Sequence, residues 1–237
     1  MNELEVTPAS AFTAPAAAAE RVTVFLRKVY GWMFVGLGIT ATVALGVASS
    51  PGLVQALFQN RFLFFGLMIA ELGLVFYLSA RVAKLAPTTA SGLFLLYSAL
   101  NGVTLSLIFL IYTGSSIATT FLVAAGMFGA LALYGTTTKR SLAGVGQFMY
   151  MGLIGLILAS LVGMFVESAG LQFGISVVGV LVFTGLTAWD AQKLKAMAVS
   201  VPEGRVGSYA VVGALALYLD FINLFLFLLR FMGGRRD

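Results

Sequence analysis

Residues 209–231 read YAVVGALALYLDFINLFLFLLRF, and the reading of this stretch decides the fold. It carries only two charges, Asp220 in its middle and Arg230 near its end. One helical crossing of a bilayer needs about 20 predominantly apolar residues, so the stretch has the length of a membrane span. The acid at its centre is where chemistry should be sought.

Outward from there the same pattern repeats. Residues 29–60, 85–138, 141–166 and 168–189 contain no Asp, Glu, Lys or Arg, giving charge-free runs of 32, 54, 26 and 22 residues. Over all 237 residues the chain is 60% hydrophobic and 10% charged, with a mean hydropathy of +1.01. Soluble domains hold roughly 45–50% apolar and roughly 25% charged residues. No soluble fold of this size hides so much apolar surface, which excludes a soluble enzyme and a nucleic-acid reader. The runs are continuous rather than alternating, against an outer-membrane barrel. The expected fold class is an all-α membrane protein, a bundle of seven transmembrane helices.

The spans fall at about 29–48, 62–80, 88–112, 117–136, 145–166, 171–198 and 209–231. The long run divides at Thr113-Gly114-Ser115-Ser116, and Ser49-Ser50-Pro51-Gly52 reads as a turn. Residues 1–28 are read as a tail, disordered to residue 19, with an interfacial helix from Glu20 to Lys28. Residues 29–231 form the membrane domain and 232–237 a short basic tail. The first 19 residues lack the basic region of a signal peptide. Gly126, Gly129, Gly152, Gly155, Gly170 and Gly174 are expected to be helix-packing positions.

Seven spans put ten Lys and Arg (21, 27, 28, 81, 84, 139, 140, 193, 195 and 205) on the side of the N-terminus and four (61, 230, 235 and 236) on the other. The positive-inside rule places the N-terminus in the cytoplasm. An incompletely crossing span 7 would instead leave both ends inside. The net charge of +5 then reflects orientation, and the expected partner is the lipid bilayer, with no nucleic acid.

Three acids lie within spans, where ionisable residues are costly and mark function: Glu71, Asp190 and Asp220. Asp190 precedes and Asp220 follows the turn near residue 203, so at ~1.5 Å per residue their depths differ by only ~6 Å on adjacent antiparallel helices. Gly213, Ala216, Asn223 and Phe227 share the face of Asp220; Gly179, Phe183, Thr187 and Leu194 share that of Asp190. Span 3 offers Ser98, Asn101 and Thr104 as a third wall. With no Cys there is no thiolate chemistry, and with no His a proton response near neutrality falls to carboxylates. Two carboxylates ~4 Å apart repel by about 4 kcal/mol at an effective dielectric near 20, so they share a proton. Ionised, they offer a hard oxygen site suited to Ca²⁺.

The run Leu217-Tyr218-Leu219-Asp220-Phe221-Ile222-Asn223-Leu224-Phe225, closing with Leu228-Leu229-Arg230, resembles the signature of the Bax-inhibitor-motif transmembrane family in its bacterial form. Thr187-Ala188-Trp189-Asp190-Ala191-Gln192 is similar to its other acidic motif, and the likeness extends over about residues 22–233. The resemblance implies a seven-helix bundle with the last helix central, in the bacterial inner membrane. It implies that Asp190 and Asp220 are the pair governing a pH-sensitive Ca²⁺ leak, with no organic cofactor. It further implies an arginine at the end of span 2 that latches onto Asp190 in the closed state; Arg81 stands there. Glu71, Asn101 and Asn223 are the supporting polar residues.

Other classes fit less well. An intramembrane aspartyl protease also uses two aspartates, but residues 217–220 read Leu-Tyr-Leu-Asp rather than Gly-x-Gly-Asp, and no Pro-Ala-Leu follows. A retinal protein needs a mid-span Lys, whereas Lys28, Lys84, Lys139, Lys193 and Lys195 lie at span ends. A non-conducting regulator of another membrane protein, such as a quality-control protease known to partner some bacterial relatives, remains open; residues 1–28 would be its recognition tail.

Overall fold

The computed structural model of the chain describes residues 9–166 and 168–236. Among them the helices are α1 (Ala9–Ala48), α2 (Pro51–Gln59), α3 (Arg61–Arg81), α4 (Pro87–Leu105), α5 (Ile108–Ile111), α6 (Gly114–Thr137), α7 (Ala143–Gly163), α8 (Ala169–Ser200) and α9 (Val206–Met232). Seven are long and apolar enough to cross a membrane, α5 continuing the α4 crossing. Apart from the start of α1, their bounds fall within three residues of the expected spans, and three of the starts carry a side-chain cap. The Asn60, Thr113 and Ser168 side chains accept from Leu63, Ser116 and Leu171 N–H at the starts of α3, α6 and α8. Such caps satisfy amide donors that the helix leaves unpaired.

Four expectations are corrected. Residues 20–28 are helical, but as part of one continuous α1 rather than as a separate interfacial helix. The expected disordered tail is helical from Ala9, in keeping with its alanine content; residues 1–8 lie outside the described residues. Residues 51–59 form α2 rather than only a turn, since Pro51 opens it at a position where proline's missing N–H costs nothing. Of the six glycines expected at packing positions, only Gly152 lies close to a side chain of a neighbouring helix. At Gly126, Gly129, Gly155 and Gly174 a methyl group would meet open space, and at Gly170 only the nearby Ser168. Spacing shows which small residues share a face, not whether that face meets a helix or lipid.

The tight positions are elsewhere. A Cβ at Gly135 of α6 would run into the Ala188 carbonyl of α8, and one at Gly146 of α7 into the Trp189 ring. Two neighbours therefore grip α8 one and two residues before Asp190. At the same end Gln192 accepts from Leu142 N–H (2.8 Å) and donates to the Arg140 carbonyl (2.8 Å), fastening the α6–α7 loop to α8.

Helix α9 is the most buried of the seven spans. It lies against α1, α4, α6 and α8, with Val211, Leu215, Leu217, Tyr218, Leu224 and Leu229 essentially inaccessible. Each is apolar or aromatic, and with the other buried positions they cover most of the circumference of the helix, leaving Val212, Ala216, Leu219 and Asn223 on the half-buried face. It runs unbroken to Met232 and is long and apolar enough to cross a membrane in full. Residues 233–236 then fold over the α5–α6 connection: Thr113 N–H donates to the Gly234 carbonyl (3.1 Å), and Arg236 N–H to that of Ile111 (2.9 Å).

Candidate functional site

Asp220 sits at the midpoint of α9 and is 5% exposed. Its Oδ2 atom is buried with no hydrogen-bond partner among the described residues. An unsatisfied buried acceptor is costly, and the surrounding helix supplies no backbone donor because its own N–H groups are used. Antiparallel α8 packs against α9 and brings Asp190 within electrostatic reach; the charges that bear on Asp220 are Asp190 and Lys193. The structure thus brings the two aspartates of the sequence reading together. Lys193 lies one turn beyond Asp190, its ammonium 5.1 Å from the centre of the Trp189 ring, so the cation nearest the pair comes from the same helix.

The faces read from periodicity hold in part. Gly179, Phe183, Thr187 and Leu194 are all buried, and Phe183 stacks on Phe227 of α9 with centroids 5.8 Å apart. The Asn223 side chain donates to the Leu219 carbonyl of its own helix at 2.8 Å rather than to an aspartate. Next to it a cavity of about 430 Å³ opens between α7, α8 and α9, lined by Ser160, Gln172, Asn223 and Arg230 among apolar groups. Arg230 donates to Gln172 at 3.3 Å on its rim.

The span 3 wall serves a different acid. Asn101 and Thr104 donate to Glu71 at 3.4 and 3.1 Å, and Ser98 offers its carbonyl to Thr40 of α1 at 2.8 Å. The expectation that these residues face the aspartates is thereby corrected: α4 turns them toward α3 and toward Tyr218 of α9. Tyr218 and Thr40 are the polar residues that sequence reading passed over. Tyr218 donates to Asn101 Oδ1 at 3.0 Å and touches the Thr40 hydroxyl at 2.6 Å. The signal for Tyr218 was its place in the motif, two residues before Asp220 and so on another side of the helix; Thr40 had none. Arg81 is exposed at the end of α3, and among the described residues no ion pair joins it to Asp190.

Comparison with known proteins decides the lineage. A family model described as "Inhibitor of apoptosis-promoting Bax1" matches residues 22–237. The chain belongs to the Bax inhibitor family. Inner membrane protein YbhL of Escherichia coli K12 is 52% identical to it over 215 residues, covering 90% of this chain and 92% of that relative. An uncharacterized protein of Borreliella burgdorferi is 47% identical over 215 residues, covering 90% and 93%. Protein RP147 of Rickettsia prowazekii is 44% identical over 214 residues, covering 90% of each. The match takes in every span of this family member, and the resemblance read from α8 and α9 holds for the whole membrane domain.

Proposed function

We propose that the protein is a Ca²⁺ leak channel of the bacterial inner membrane, governed by protons on Asp190 and Asp220, rather than an enzyme. The observation that carries this reading is the buried Asp220 oxygen without a partner among the described residues, with a second carboxylate within electrostatic reach. A buried unpaired carboxylate oxygen invites a proton or a cation, and the two compete, so apparent Ca²⁺ affinity rises with pH. Ca²⁺ takes 6–8 oxygen ligands, whereas among the described residues no group of three acids or other metal ligands gathers. Two carboxylates completed by water suit an ion in passage, which must bind weakly enough to leave. The polar cavity at Asn223 and Arg230 is the outer approach to the pair, with the stacked Phe183 and Phe227 among the groups between them.

The orientation that accompanies this reading puts the N-terminus in the cytoplasm, by the positive-inside rule. Arg81 as a latch on Asp190 belongs to a second arrangement of the helices, in which α3 moves toward α8. Ca²⁺ uptake by liposomes holding the purified chain tests the reading. Uptake above that of protein-free liposomes, lost in Asp220→Asn, is expected; uptake equal to protein-free liposomes contradicts it.

A further inference from the structure

On another side of α9 from Asp220, a chain of hydrogen bonds links four helices. It runs from Glu71 of α3 through Asn101 of α4 and Tyr218 of α9 to Thr40 of α1, ending on the Ser98 carbonyl. Thr104 bonds both Glu71 and the Asn101 carbonyl (2.9 Å). These are six contacts between polar groups.

With Glu71 ionised, the donors are the hydroxyl protons of Thr40, Tyr218 and Thr104 and the one Asn101 side-chain N–H that points to Glu71, four for six contacts. Tyr218 gives its proton to Asn101 and Thr40 gives its own to Ser98, so the 2.6 Å contact between the two hydroxyls has none. Thr40, Ser98 and Tyr218 are at most 3% exposed, so no bulk water supplies it. A proton on Glu71 changes the count. If it sits on Oε2 and the Asn101 amide turns over, Glu71 donates to Asn101, Asn101 to Tyr218, Tyr218 to Thr40 and Thr40 to Ser98. Every link of the chain then has one proton, all pointing the same way.

We infer that Glu71 is a second proton-binding site of the membrane domain, read out through Asn101 on the Tyr218 hydroxyl of the central helix. Its setting agrees. Met68, Ile69, Leu72 and Phe76 of the same helix are exposed on the least buried span, a setting in which an ionised carboxylate is costlier than a protonated one. The titratable groups facing it are Tyr97 of α4 and Tyr218 of α9; α2, the other helix packed on α3, carries none. The observations behind this site are independent of the aspartate pair.

Infrared difference spectra between acid and alkaline pH, taken on the full chain in lipid nanodiscs, test it. The Asp190→Asn/Asp220→Asn variant silences the other two intramembrane acids, so failure of the channel reading leaves this test intact. Expected are a protonated-carboxyl band and, in the same pH step, a tyrosine band identified by ring-deuterated tyrosine. Glu71→Gln removes both, and Tyr218→Phe removes the tyrosine band and keeps the carboxyl band. If the double variant does not fold, the same bands are read as the difference between wild type and Glu71→Gln. A Glu71 carboxyl band without a tyrosine response overturns the relay, and no such band at any pH overturns the site.

Discussion

Asp220 and Glu71 differ in their company. Glu71 has two donors on α4, whereas the buried Asp220 oxygen has no donor among the described residues and lies within electrostatic reach of a second acid. Both acids were legible in the sequence, because an acid in an apolar run is conspicuous. Which neighbours answer each acid was not: Asn101 and Thr104 lie on one stripe, but the partner of that stripe depends on how α4 is rotated. Tyr218 shows the same limit, since an aromatic in a span reads as apolar until its hydroxyl is seen between Thr40 and Asn101. Tyr218→Phe strands these buried polar groups and is expected to destabilise the protein by about 1–3 kcal/mol, measured by reversible unfolding in detergent. A cost within ~0.5 kcal/mol would mean that these contacts contribute nothing net.

Among the elements, α8 carries the most information per residue. Ala188 fits under Gly135, Trp189 against Gly146, Asp190 lies within electrostatic reach of Asp220, and Gln192 holds the α6–α7 loop. The motif at 187–192 is thus a device that fixes the rotation and depth of one aspartate. Gly146→Ala drives a methyl into the Trp189 ring and is expected to cost about 1–3 kcal/mol. Gly126→Ala meets open space and should leave stability within ~0.5 kcal/mol. Thermal unfolding of the two variants side by side checks the contrast. The existence of the spans and their ends, the start of α1 excepted, were readable because length and apolarity are local properties. The glycine contacts were not, because they belong to pairs of helices.

Over the whole molecule, the charge asymmetry read from sequence and the packing of residues 233–236 on the α5–α6 connection agree on an odd number of crossings. The chain has no Cys, so single cysteines report sidedness cleanly. In intact cells a membrane-impermeant maleimide should label Ser115→Cys, in the α5–α6 connection, and spare Ser200→Cys, at the end of α8. The reverse pattern would invert the orientation.

The central claim is that Asp190 and Asp220 act together as the proton-sensitive control of ion passage. Ca²⁺ flux into liposomes across about pH 5 to 8, a range in which no unperturbed side chain of this histidine-free chain titrates, tests it with wild type, Asp190→Asn and Asp220→Asn. Wild type should conduct with a marked pH dependence, and each variant should lose flux or become indifferent to pH. Absence of flux at every pH, or the same pH dependence in both variants as in wild type, would contradict it.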